Sequence, residues 1–264
     1  MTRLFAISAL LLFTASHSFA DFKSCFEAYS EDDFDIAFKE CKIPAEQGHA
    51  QAQAILGSLY EHGEGVERDY AKAIRWYTKA AEQGNSFAQN SLGHMLYSRG
   101  KGPGDYAEAI KWYTRAAEQG NVDAQAQLGY IYGAGKGVPR NYSESLKWST
   151  KAARQGSDAA QYNLGLMYFE GKGMPRDYSE ALKWYTRAAE QGNASAQNNL
   201  GAMYHNGRGV PKDYVAAYKW YHLSAAQGYE IARKNLKELE IIMTPAQIAR
   251  GQKLSREFKP RPPR

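Results

Sequence analysis

A serine followed three residues later by a lysine lets an acyl-transfer enzyme set a nucleophile beside a base, one helical turn apart. The chain has this spacing once, at Ser98-Arg99-Gly100-Lys101. The surrounding glycines put the segment in a loop, and the Ser-Asp-Asn and Lys-Thr-Gly elements that complete such a site do not occur. His49, His62, His94, His205 and His222 lack metal-ligand spacing, and no His-Glu-x-x-His, phosphate loop or Gly-x-Ser-x-Gly is present. Neither metal nor cofactor is therefore expected. That leaves Cys25 and Cys41. In an oxidising compartment two cysteines are most simply one disulfide, whose loop closure contributes about 3 kcal/mol in the chain-entropy model.

The N-terminus points to such a compartment. Met1-Thr2-Arg3 carries a positive charge, and the stretch from Leu4 to Phe13 is interrupted only by Ser8. Ser18-Phe19-Ala20 then fits the small-x-small cleavage pattern, so residues 1–20 read as a signal peptide cleaved after Ala20. The run is too short to span a bilayer, so no transmembrane segment is expected after cleavage. A periplasmic or secreted protein follows. Over 264 residues, 44% are apolar and 23% charged, and the net charge of +5 contains no long basic block. This composition describes a folded soluble chain and gives no sign of a nucleic-acid partner.

The elements that must position these residues repeat. The five tryptophans, Trp76, Trp112, Trp148, Trp184 and Trp220, are spaced by 36 residues. Asp69-Tyr70, Asp105-Tyr106, Asn141-Tyr142, Asp177-Tyr178 and Asp213-Tyr214 share that period, as do Leu-Gly pairs from Leu56-Gly57 to Leu200-Gly201 and Gln-Gly pairs from Gln47-Gly48 to Gln227-Gly228. A fixed period of this length predicts a solenoid. Each unit reads as two helices. Ala160, Leu164 and Tyr168 form one apolar stripe, and Gly165 permits a close helix approach. The second helix is expected to open at Asp177 with Glu180 in a capping box, repeated at Asp105/Glu108 and Asn141/Glu144, and to end at Gly192. The second repeat reads as having one residue inserted in Gly93–Tyr97 and one lost from the following loop. Most of the 19 tyrosines and all five tryptophans fall on repeated positions, which makes them packing residues.

The pattern Ala160-Gln161-x-x-Leu164-Gly165-x-x-Tyr168, Gly171-x-Gly173, Asp177-Tyr178, Ala181-x-x-Trp184-Tyr185, Ala188-Ala189-x-Gln191-Gly192 resembles the Sel-1-like repeat, a relative of the tetratricopeptide repeat. The resemblance implies an all-α fold, a right-handed α/α superhelical solenoid of helix-turn-helix repeats. It divides the chain into a degenerate N-terminal capping repeat (21–48), five repeats (49–228), C-terminal capping helices (229–258) and a disordered basic tail (259–264). Cys25 and Cys41 would lie on the two helices of the first cap, with the disulfide clipping that hairpin closed. It also implies an exported, non-catalytic scaffold binding another protein or peptide in a concave groove lined by first helices. Asn90, Tyr130, Tyr162, Asn163, Asn198, Asn199 and Asn235 are the groove candidates, because amides suit an extended peptide backbone. Hydrogen bonding of these asparagines between adjacent repeats is the alternative. Helicobacter cysteine-rich relatives are described as penicillin-binding or weakly β-lactam-hydrolysing, so a peptidoglycan fragment as ligand, or β-lactamase-like activity, is the alternative function.

Basic residues also recur, at Arg75, Lys111, Lys147, Lys183 and Lys219, with Lys79, Arg115, Lys151 and Arg187 four residues on from the first four. Glutamates three residues away partly neutralise them, which favours a solvated outer face over a polyanion site.

Overall fold

The structure, a computed structural model, describes residues 22–99 and 102–262. The expected signal peptide, Lys101 of the Ser-x-x-Lys segment, and Pro263-Arg264 lie outside the described residues. Those described are helical throughout apart from turns and loops, with no strand among them.

Two compact units divide the chain, the first ending at Asn121 and the second beginning at Val122. In the first, residues 22–30 form α1, followed by α2 (Phe34–Glu46), α3 (Ala50–His62), α4 (Tyr70–Glu82), α5 (Ser86–Arg99) and α6 (Pro103–Glu118). The second holds α7 (Val122–Ala134), α8 (Tyr142–Arg154), α9 (Asp158–Glu170), α10 (Tyr178–Glu190), α11 (Ala194–Asn206), α12 (Tyr214–Ala226), α13 (Glu230–Ile242) and α14 (Pro245–Arg256). Within each unit, consecutive helices pack against one another as far as α13, and α14 turns back onto α12.

Second helices start where a short acceptor side chain meets the free N–H groups of the first turn. Asp33, Asp69, Asn141, Asp177 and Asp213 each accept from a backbone amide two or three residues on. The reciprocal half of the capping box differs from expectation. Glu180 pairs with Lys183, while Glu144 pairs with Lys147 and accepts from the Trp148 indole. Among the described residues both halves form at α14, between Thr244 and Gln247.

The second repeat departs from its expected start. Its loop glycine has shifted and Pro103 fits the first helical turn, so α6 begins at Pro103 behind Gly102, and Asp105 sits inside its first turn. Nor is a residue inserted in α5. Tyr97 lies 5.2 Å from Tyr106 and 6.5 Å from Tyr113, as Phe169 lies 5.2 Å from Tyr178 and 6.3 Å from Tyr185. The register is therefore unbroken, with Leu96 where other repeats have tyrosine. Ser98 belongs to the last turn of α5, not to a loop, and its hydroxyl donates to the Met95 carbonyl at 3.4 Å.

The first-helix glycines admit an aromatic ring. A Cβ on Gly57, Gly165 or Gly201 would fall 2.5–2.7 Å from the ring of Tyr77, Tyr185 or Tyr221. The tryptophans join neighbouring repeats. Trp76, Trp112, Trp184 and Trp220 each pack against an apolar cluster that includes the repeat before their own helix or its adjoining first helix. A polar chain runs beside them. Gln83 donates to Gln53 at 2.7 Å, and buried Gln53 donates to the Ala45 carbonyl at 2.9 Å, one repeat back. Gln191–Gln161–Ala153 and Gln227–Gln197–Ala189 repeat the arrangement.

The disulfide joins Cys25 of α1 to Cys41 of α2. The tail, expected from its composition to be disordered from Lys259, is described through Pro262. Phe258 sits edge-on to Trp220 at 5.6 Å, and the Arg261 amide donates to the Glu190 carbonyl at 2.8 Å while its guanidinium pairs with the same residue's carboxylate. A guanidinium in reach of a helix C-terminus meets both its free carbonyls and its dipole, which holds the tail.

Candidate partner-binding site

Two positions 16 residues apart face each other in every helical pair, and their chemistry changes from pair to pair. In the N-terminal pair they are the disulfide-linked Cys25 and Cys41. Thirty-six residues on they are Glu61 and Tyr77, joined by a 2.8 Å hydrogen bond from the phenol to the carboxylate. Then come Tyr97 with Tyr113, Phe169 with Tyr185 and His205 with Tyr221, ring pairs 6.3–6.5 Å apart. Only the third repeat has two small residues there, Gly133 and Ser149. Ser149 packs directly on Gly129, and Ser145 donates to the Gly129 carbonyl at 2.7 Å.

Above this contact a cavity of about 440 Å³ opens between α7, the start of α8 and α9. Tyr130, Tyr142, Tyr162, Asn163 and Met167 are among its walls, with Arg140. Three sequence-predicted groove residues, Tyr130, Tyr162 and Asn163, thus meet at one place. Tyr130 is well exposed, and the Lys136 ammonium lies over its ring. Tyr162 is half-buried, tilted on Tyr185 at 5.9 Å; burial raises its phenol above the usual range, with the nearby Tyr229 adding to the shift and a hydrogen bond from Asn199 opposing it. It stays neutral at ordinary pH, able to donate as well as accept.

Asn199 reaches the cavity through Tyr162, and the remaining candidates lie elsewhere. Asn235 on α13 donates to Asn198 on α11 at 2.9 Å, and Asn198 donates to Asn199 at 3.2 Å. These amides therefore tie adjacent repeats together, and Asn198 is buried. Asn90 lies on α5 in the first unit, with a buried side-chain oxygen that meets no donor among the described residues. Sequence reasoning missed Gly133, Arg140, Tyr142 and Ser145. The signal for them was the break in the Trp-Tyr ladder at Trp148-Ser149, which flags the repeat whose packing differs.

On the second-helix face the basic residues are largely occupied. Lys111, Lys147 and Lys183 pair with Glu108, Glu144 and Glu180. Lys79, Arg115, Lys151 and Arg187 lie 4.4–4.7 Å over the tryptophan rings of their own helices.

The Sel1 repeat model matches residues 50–85, 86–121, 122–157, 158–193 and 194–229 in unbroken succession. The chain belongs to the Sel1 repeat family. Among solved structures, a Sel1 repeat protein from Oxalobacter formigenes is 33% identical, covers 92% of this chain and 99% of its own, and superposes with a TM-score of 0.78. A protective antigen present in uropathogenic Escherichia coli strains, which displays an SLR fold, is 31% identical over 85% of this chain and 56% of its own, at a TM-score of 0.57. An immunity protein from Pseudomonas aeruginosa shares the fold at 24% identity and a TM-score of 0.50, over 76% of this chain and 81% of its own. No curated protein matches this Sel1 repeat chain.

Proposed function

We propose that this Sel1 repeat protein is an exported, non-catalytic scaffold that holds another protein or peptide against its first helices. The observation that carries this reading is the cavity between α7 and α9, where Tyr130, Tyr162 and Asn163 are gathered while most other aromatic side chains go into packing. Stacked repeats offer such a surface without a catalytic pocket. The Cys25–Cys41 disulfide supports an oxidising compartment, in keeping with the signal peptide read from residues 1–20. A role in the bacterial envelope or outside the cell, as an adaptor in signalling, secretion, host contact or effector neutralisation, suits this placement.

The test is affinity capture from envelope extract with the chain from Asp21 onward, beside a variant carrying Tyr162→Ala, Asn163→Ala and Asn199→Ala whose circular dichroism matches the parent. A protein retained by the parent and lost by the variant, identified by mass spectrometry, is the expected result. Equal capture by both would move the contact off this face and overturn the assignment.

A further inference from the structure

We propose that the third repeat carries a socket for an aromatic side chain of the partner, one with a carboxylate next to it; this deepens the scaffold reading and rests on it. The fold itself displays what fills the equivalent space. In the second, fourth and fifth repeats Tyr97, Phe169 and His205 set their rings 5.2, 5.2 and 5.7 Å from Tyr106, Tyr178 and Tyr214, the tyrosines near the start of the second helices. The third repeat keeps the tyrosine, as Tyr142, and replaces its ring partner by Gly133. Both residues line the cavity of about 440 Å³. A ring from outside would therefore meet Tyr142 as the intramolecular rings do elsewhere, in tilted or edge-on contacts that favour an aromatic over an aliphatic occupant.

The charge beside it follows from Arg140. Its guanidinium donates to the Tyr142 hydroxyl at 3.3 Å, and no carboxylate of the described residues pairs with it. Lys172, also on the rim, is already held by Glu170 at 2.5 Å. Among the described cations lining the cavity, Arg140 is the one without a carboxylate partner, and a guanidinium reads a carboxylate through paired N–H donors.

The experiment is an NMR titration of the whole ¹⁵N-labelled chain from Asp21 with acetyl-Asp-Phe-amide, acetyl-Asp-Leu-amide and acetyl-Lys-Phe-amide. Acetyl-Asp-Phe-amide should give saturable shifts of the Gly129 and Gly133 amides, at least ten-fold tighter than the leucine probe and several-fold tighter than the lysine probe. Gly133→Phe, which installs the fourth repeat's side chain, should abolish those shifts with the thermal midpoint kept. Should that variant not fold, the rim variant Arg140→Gln carries the test, because it should bind the Asp and Lys probes equally. Equal affinity for Phe and Leu, undiminished binding by folded Gly133→Phe, an unchanged Asp preference in Arg140→Gln, or no saturable shift with any probe would each overturn the socket. If the probes fail while capture still depends on Tyr162, Asn163 and Asn199, the socket is wrong and the scaffold stands. If acetyl-Asp-Phe-amide seats at Gly133 while capture ignores those three residues, the socket holds and the scaffold assignment falls.

Discussion

At the residue scale, the glycine facing a tyrosine ring is a tight constraint. Gly165→Ala would bring a methyl within 2.5 Å of the Tyr185 ring, so the helices must part. Overpacking of this kind costs roughly 1–3 kcal/mol, which urea denaturation of the variant should show as a lowered midpoint. The buried rings also set an alkaline limit. Burial, with Glu238 nearby, pushes the Tyr221 phenol up from 10.0 to about 12, and Tyr77, Tyr113 and Tyr185 are raised the same way. A phenol whose folded pKa is raised stabilises the fold fully below the unfolded value and loses that contribution as pH climbs to the folded one. Thermal midpoints should hold up to about pH 10 and then fall steeply toward pH 12, with tyrosinate absorbance at 295 nm rising together with unfolding; a flat midpoint across that window would refute this.

At the element scale, the repeat is held by two kinds of cross-tie. Gln53 bridges Gln83 of its own repeat and the Ala45 carbonyl of the preceding helix. Gln53→Ala removes the buried amide that joins the two and should cost about 1–3 kcal/mol, whereas Gln83→Ala, at an exposed end, should cost less. Chemical denaturation of the two variants side by side checks the order. The disulfide acts on one hairpin. Reduction of Cys25–Cys41 should cost about 3 kcal/mol, and hydrogen exchange should speed up in α1 and α2 first, because coupling between stacked repeats is local.

At the scale of the whole molecule, the architecture was legible because repetition averages out the noise of any single segment. Trp, Leu-Gly, Asp-Tyr and Gln-Gly ladders fixed the period, and the period requires stacked helical pairs. The contact of Arg261 with Glu190 was not legible, because it exists only once α10 is folded. The start of α6 was misread because Asp105 looks like a cap until Pro103 extends the helix back by a turn. Among the site residues, the pattern led to Tyr130, Tyr162 and Asn163 through a face. Arg140 recurs, since Arg176 bonds Tyr178 in the same way, and nothing in the recurrence singles out the third repeat. Gly133 matters for what is missing beside Tyr142, whereas a repeat pattern marks what recurs. Asn198, Asn199 and Asn235 show the converse, since a periodic amide reads the same whether it faces a ligand or a neighbouring repeat.

The facing positions 16 residues apart carry one further consequence. A covalent bond, a hydrogen bond, tilted or edge-on rings and a pair of small side chains all occupy them. The backbone thus tolerates any fastener at that point, and each pair behaves as an exchangeable cassette. Glu61→Cys with Tyr77→Cys should oxidise to a second cross-link, detectable as the absence of titratable thiols. A chain built this way can harden against proteases one hairpin at a time while leaving the third repeat alone.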